Sequence, residues 1–191
     1  MPYVRIRLLV LAAVIVVFQA ETSERAFEPQ ARPAPNATDN LHGVATYRDL
    51  ADSLGIVVNR SNPVDNLSSA ELRRIFLGQQ THWSNGRRVT VVMLETGKQE
   101  RQAMLAQICQ MDDKEFNKHF SEGLSTGQIL AAPKTLATST EVLRFVYNVP
   151  GAIGYLRVTE ADDSVKMVHV DSRLPGDKDY GIRLHPKGGK P

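Results

Sequence analysis

Leu72-Arg73-Arg74-Ile75-Phe76-Leu77-Gly78-Gln79-Gln80-Thr81-His82-Trp83 is the stretch whose reading decides the fold. Leu72, Ile75 and Phe76 recur at helical spacing, while Glu71, Arg73 and Arg74 take the opposite side. The segment therefore closes an amphipathic helix. Ser68 or Ser69 can cap its start. Gly78 ends it, because glycine enters the left-handed conformation that stops a helix at little steric cost. The chain's single Trp follows five residues later. Its indole is either a ligand- or partner-facing aromatic or an anchor packed over the helix end, and the anchor is preferred on its large apolar area. Gln79, Thr81 and His82 share the loop and either line a cleft or stand exposed.

Outward from this stretch, strand and helix signals alternate. Leu54-Gly55-Ile56-Val57-Val58 is a short apolar run, which predicts a buried strand, and Asn62-Pro63 turns the chain after it. Asn85-Gly86 marks a turn before a second strand, Val89–Met93. A helix is expected from about Lys98 to Gln110. Another starts at Asp112 or Asp113 and runs through Phe116 toward Phe120. Residues 123–132 read as irregular. Ser139 precedes a capped helix carrying Val142, Leu143, Phe145 and Val146. In Val149-Pro150-Gly151-Ala152-Ile153-Gly154-Tyr155-Leu156, Pro150-Gly151 stops that helix and Ala152–Leu156 forms a strand. Gly151 and Gly154 serve the tight turn and strand packing, with Tyr155 in the core or at a cleft edge. Val165–Val170 alternates and predicts a half-exposed strand. Strands spaced by helices give an α/β sheet with helices on both faces.

Composition excludes several classes. The 191 residues allow one domain of ordinary size, and 42% hydrophobic content suffices for one core. With 23 basic against 21 acidic residues, the chain lacks the excess positive charge of a dedicated nucleic-acid surface. His42, His82, His119, His169 and His185 fall at no metal-ligand spacing, so neither a metal nor a cofactor is expected. Cys109 is alone and sits in the pattern Met104, Leu105, Ile108, Cys109, which makes it a core residue. Arg5 and Arg7 precede the apolar run 8–18, too short to span a bilayer comfortably. Residues 1–20 therefore read as a secretory signal or an uncleaved anchor, since Ala20 suits the cleavage position but Phe18 is bulky for its own. Residues 21–45, with Pro29, Pro33 and Pro35, form a polar linker. The domain spans 46–172, and 173–191 form a C-terminal segment ending in a mobile tail. The implied location is periplasmic or extracellular.

The ordered set Ile56-Val57-Val58-Asn59, Asn62-Pro63, Leu67-Ser68, Phe76-Leu77-Gly78, Trp83-Ser84-Asn85-Gly86, Val89-Thr90-Val91-Val92 and Pro150–Tyr155 carries a resemblance. Over about residues 54–158 the chain is similar to the substrate-binding proteins of phosphate ABC transporters, which are type 2 periplasmic-binding-protein-like. The resemblance implies a periplasmic-binding-protein-like lobe with a mixed, mostly parallel sheet. It also implies an extracytoplasmic solute-binding function, with phosphate or another small oxyanion as ligand and an ABC transporter membrane component as partner. Full-length members have two lobes, whereas here a Pro-rich linker precedes residue 54. The chain thus resembles a short, one-lobe member, in which the ligand surface is open or is completed by a second lobe or chain.

In the family, a strand ends in an Arg and a Ser-Gly-Thr turn opens the next helix, so that N–H groups and hydroxyls meet the oxyanion. Here the matching segment is Leu94-Glu95-Thr96-Gly97-Lys98-Gln99-Glu100-Arg101. The resemblance puts Lys98, Gln99 and Glu100 on the triplet, Glu95 near the Arg, and Arg101 on a basic residue that follows. Thr96, Gly97, Lys98 and Arg101 are the candidate anion cradle, joined by Ser139 and Thr140 at a second helix N-terminus. On the other reading Thr96 caps the helix, Lys98 and Arg101 are solvated, and Ser139 and Thr140 are caps. Glu95 and Glu100 would each repel a phosphate dianion, by about 1 kcal/mol per charge pair in water. The alternative function is an interaction or regulatory module that kept the lobe and lost the anion site. No Gly-x-Ser-x-Gly or comparable nucleophile arrangement occurs, so an enzyme is not expected.

Overall fold

The computed structural model describes residues 47–177 and 179–185. The signal or anchor (1–20), the linker (21–45) and the last residues of the tail lie outside the described residues. The elements in order are α1 (Tyr47–Ala51), β1 (Leu54–Asn59), β2 (Asn66–Leu67), α2 (Ser69–Phe76), β3 (Thr90–Leu94) and α3 (Gln99–Met104), which continues as a wider π-type turn over Leu105–Cys109. Then come α4 (Asp113–Ser125), β4 (Lys134–Leu136), α5 (Ser139–Asn148), β5 (Ala152–Arg157) and β6 (Val165–Val170).

The strands form one sheet in the order β2-β6-β1-β5-β3-β4. β1 pairs antiparallel with both β5 and β6, while β2 with β6, and β3 with β5 and β4, are parallel. Five strands thus run one way and β1 alone opposes them. All six residues of β1 are buried, which is why its sequence is apolar without alternation. β6 is half-buried as its sequence predicts, but its burial alternates only over Val168-His169-Val170, since Met167 is half-exposed and Val165 buried.

Neighbouring residues of β5 locate the helix layers. Successive side chains of a strand point to opposite faces. The Tyr155 ring lies 6.0 Å from that of Phe76 on α2. A Cβ on Gly154 would stand 3.0 Å from a methyl of Val142 on α5. So α2 covers one face and α5 the other.

The caps sharpen the helix boundaries. Ser68 and Glu71 form a reciprocal capping box on α2, and Asp171 takes the Ser69 N–H at 3.0 Å. Asp112 and Glu115 do the same for α4. The α5 cap is Thr138, one residue before the expected Ser139. Three hydroxyls stand in a row there, and Glu141 decides between them because it lies three residues after Thr138 and accepts its backbone N–H at 3.1 Å. α4 also runs to Ser125, through residues expected to be irregular. Gly123 is helical there for packing reasons, since an added Cβ would lie 2.4 Å from the Ile129 side chain.

Trp83 is an anchor, and it is tied to the turn that leads into β5. It is buried, and its Nε1–H donates to the Gly151 carbonyl at 3.0 Å. The same carbonyl accepts the Thr90 N–H at 3.0 Å. Gly151 must lack a side chain, because a Cβ would stand 2.1 Å from the Arg88 carbonyl oxygen. Beyond β6 the chain adds core that no sequence pattern indicated. Tyr180 and Ile182 are buried, and the Tyr180 hydroxyl donates to the Leu54 carbonyl at 2.6 Å. Cys109 is buried in the core, and burial pushes its thiol up to about 12, which leaves it unreactive.

These contacts set two expected outcomes in chemical denaturation. Gly151→Ala should cost about 2 kcal/mol or more, by forcing backbone apart where nothing flexible can yield. Trp83→Phe should cost about 1 kcal/mol, the worth of one buried hydrogen bond plus lost contact.

Candidate anion-binding site

β3 and β4 run parallel and end side by side, with Leu94 opposite Leu136. The Glu95 N–H continues the pairing by donating to the Leu136 carbonyl at 3.0 Å. Each strand then feeds a helix, β3 through Thr96-Gly97-Lys98 into α3 and β4 through Ala137-Thr138 into α5. In open α/β sheets this end of the strands is where ligands bind. Thr96, Gly97, Lys98, Ser139 and Thr140 are thereby delivered to one end of the sheet. Gly97 adopts φ +92° with open space around it, the backbone freedom this tight loop requires. Thr96, Gly97, Lys98 and Thr140 are exposed and Ser139 is half-buried. Thr96 does not cap α3. That position belongs to Lys98, whose side chain makes no capping bond.

Arg101 does not join them. Its guanidinium is buried, pairs with Asp113 at 2.5 Å and lies 5.3 Å over the Phe116 ring. Its Nη1 donates to the Leu94 carbonyl at 3.0 Å. The reason lies in the sheet. β3 and β5 pair only at Thr90–Ala152 and Val91–Ile153, then part. The freed backbone of Leu94 is satisfied by side chains instead: Arg101 takes its carbonyl, and the Tyr155 hydroxyl accepts its N–H at 3.2 Å. Arg101 is neither solvated nor at the surface, so both sequence readings of it give way to a role in closing this gap. Tyr155 is wholly buried and belongs to the core, and burial pushes its hydroxyl pKa up.

Glu100 is the charge that sits at the α3 N-terminus. It is 8% exposed and forms an ion pair with Arg157 at 2.6 Å. Burial by itself would raise its pKa. Its own backbone N–H, the Arg157 guanidinium and Lys98 outweigh that and hold the carboxyl below its ordinary 4.5. Arg157 was missed by the sequence reading. Its signal was position, as the last residue of a strand whose partner leads to the candidate loop. At α5, Glu141 accepts the N–H groups of Ala137 and Thr138, so part of that helix start is also self-satisfied. No group of His, Cys, Asp and Glu suited to a metal ion occurs among the described residues. No helix among them is long and apolar enough to cross a membrane.

A family model described as a PBP superfamily domain matches residues 31–180. Among solved structures, an ABC-type phosphate transport receptor from Vibrio cholerae is 24% identical, with a TM-score of 0.54 over 66% of this chain and 49% of that one. A Clostridium perfringens protein solved with bound phosphate is 23% identical, with a TM-score of 0.55 over 66% and 48%. PstS from Borrelia burgdorferi is 13% identical, with a TM-score of 0.50 over 65% and 49%. The chain therefore spans about half the length of the solved structures it matches, and the likeness is one of fold.

Two outcomes follow from the ion pairs. Arg101→Ala should cost about 3 kcal/mol or more in denaturant unfolding, because Asp113 and the Leu94 carbonyl lose their buried partner. Glu100 has a depressed folded-state pKa, so its contribution is present above the unfolded pKa and is lost as pH falls through the folded one. Melting temperature measured against pH should therefore drop on the acid side of its ordinary 4.5, and Glu100→Gln should flatten that limb.

Proposed function

The chain belongs to the PBP superfamily domain family, and from that premise we propose that it is an extracytoplasmic solute-binding module for a small oxyanion, with phosphate the first candidate. The observation that carries this reading is the parallel β3–β4 pair, which sends two helix N-termini to the ligand end of the sheet. The backbone of Thr96 and Gly97 would receive the anion, with Lys98 supplying positive charge and Ser139 and Thr140 supplying hydroxyls and helix dipole. The phosphate in the Clostridium perfringens structure supports this choice of ligand class. The surface is open on this lobe, so affinity would depend on a second lobe or chain, or on the membrane component of an ABC transporter, to cover the anion. On this reading the protein is a receptor rather than an enzyme, and it works in the periplasm or outside the cell.

One observation favours the second reading, an interaction or regulatory module without an anion. Glu100 already occupies the α3 N-terminus and is neutralised by Arg157, which leaves less positive potential for an incoming dianion.

Thermal-shift titration with phosphate and sulfate separates the two. Stabilisation grows as the logarithm of ligand over dissociation constant, about 2.7 kcal/mol at a hundredfold excess over Kd. Millimolar phosphate should raise the melting temperature, and Lys98→Ala should reduce the rise. An unchanged melting temperature with every oxyanion would remove the solute-binding reading and leave the interaction module.

A further inference from the structure

The opposite end of β3 and β4, where the strands begin, holds a cleft of about 280 Å³. The loop that follows Phe76-Leu77-Gly78 forms one wall, the start of β3 from Arg88 to Val91 a second, and residues 130–134 the third. Its apolar surface comes from Leu130, Ala131, Ala132 and Pro133 with the edge of Phe120, and the buried Ile75 and Phe76 lie behind it. None of the residues that line it is acidic. Two are cationic, Arg88 and Lys134. The Lys134 ammonium is engaged 5.4 Å over the Phe145 ring, whereas Arg88 forms no ion pair among the described residues.

The third wall is held in an unusual way. Ile129 is buried where it fills the space beside Gly123, and its N–H donates to the Gly123 carbonyl at 3.0 Å. It also packs close to Gly78, whose φ of +73° turns the loop over it. The next residue, Leu130, is consequently displayed at the cleft with 70% of its surface in water. A large exposed aliphatic side chain on an apolar surface beside an unpaired guanidinium asks for a ligand with both an apolar and an anionic part.

We propose that this cleft is a ligand site, separate from the oxyanion site, for a small carboxylate with an apolar body, held by Arg88 at the carboxylate and by Leu130, Pro133 and the edge of Phe120 at the body. At about 280 Å³ the cleft lies just below the range of drug-sized pockets and admits a ligand of single-ring size. That is the size of benzoate, with 3-methylbutanoate as an aliphatic counterpart. Gln80 and Thr81 also line the cleft and bring polar groups to it, although the Thr81 hydroxyl is shared with His82 Nδ1 at 3.0 Å.

The test is an amide NMR titration of the full chain with benzoate, and with benzyl alcohol as a neutral match in shape. Benzoate at millimolar concentration should move the amides of Gly78–Thr81, Arg88–Val91 and Leu130–Ala132. Benzyl alcohol should bind about ten-fold more weakly, and Arg88→Gln should weaken benzoate by about the same factor. Ala132→Trp, which fills the cleft from an exposed position, should abolish the benzoate response while the spectrum stays that of a folded chain. The proposal is overturned if neither benzoate nor 3-methylbutanoate moves those amides, or if Arg88→Gln and Ala132→Trp both leave the response intact. Phosphate is read in the same spectra at Thr96–Lys98, so the two sites stand or fall independently.

Discussion

The carbonyl of Gly151 receives two hydrogen bonds, from the Trp83 indole and the Thr90 backbone, and much of the domain depends on that one oxygen. It joins the loop after α2, the first residue of β3 and the turn into β5. The first two are near neighbours in sequence, the third lies 68 residues beyond Trp83, and the bonds hold them in one register. That register starts the parallel β3–β5 pairing at Thr90 and Ala152, and β3 in turn sets β4. Where both strands end, and hence where two helices begin, follows from it. Glycine is required because the Arg88 carbonyl leaves no room for a Cβ.

The second constraint is the gap that opens when β3 and β5 part after two paired residues. Backbone groups left in a dry interior must find partners. Here Arg101 and Tyr155 supply them, and Asp113 and Phe116 steady the guanidinium. A cation that sequence logic assigned to an anion thus works as scaffold. The charges that remain at this end of the sheet include Glu95, Lys98, Glu100 and Arg157, and their balance decides whether the candidate site suits an anion.

Much of the fold was legible because local rules and tertiary demands agreed. Leu72, Ile75 and Phe76 made a helix face that is now buried, and Gly78 took the left-handed turn expected of it. β1 was readable from its unbroken apolar run. Other features were legible only in part. The row Thr138-Ser139-Thr140 offered three caps, and the choice needed the reach of Glu141. Gly123 looked like a breaker until Ile129 was seen to occupy its missing side chain. The two- and three-residue edge strands β2 and β4 were too short to carry any periodicity. Tyr180 and Ile182 sit in a segment of turns, so no pattern marked them as core.

For the candidate site, the loop Thr96–Lys98 and the start of α5 were named from sequence, since helix beginnings have local signatures. By itself the sequence determined the four longer strands, most of the helices and that the chain is an α/β lobe. Burial, pairing and charge balance are properties of distant residues brought together. Only the tertiary structure decided that Arg101 turns inward to close the gap between strands, that Arg157 neutralises Glu100, and that Trp83 ties the helix loop to the Pro-Gly turn. The Phe-Leu-Gly segment was read for its helix and its stop, which are local. The cleft it overhangs exists because Ile129 packs beneath Gly78, a contact between residues 51 positions apart that no period of 2 or 3.6 residues encodes.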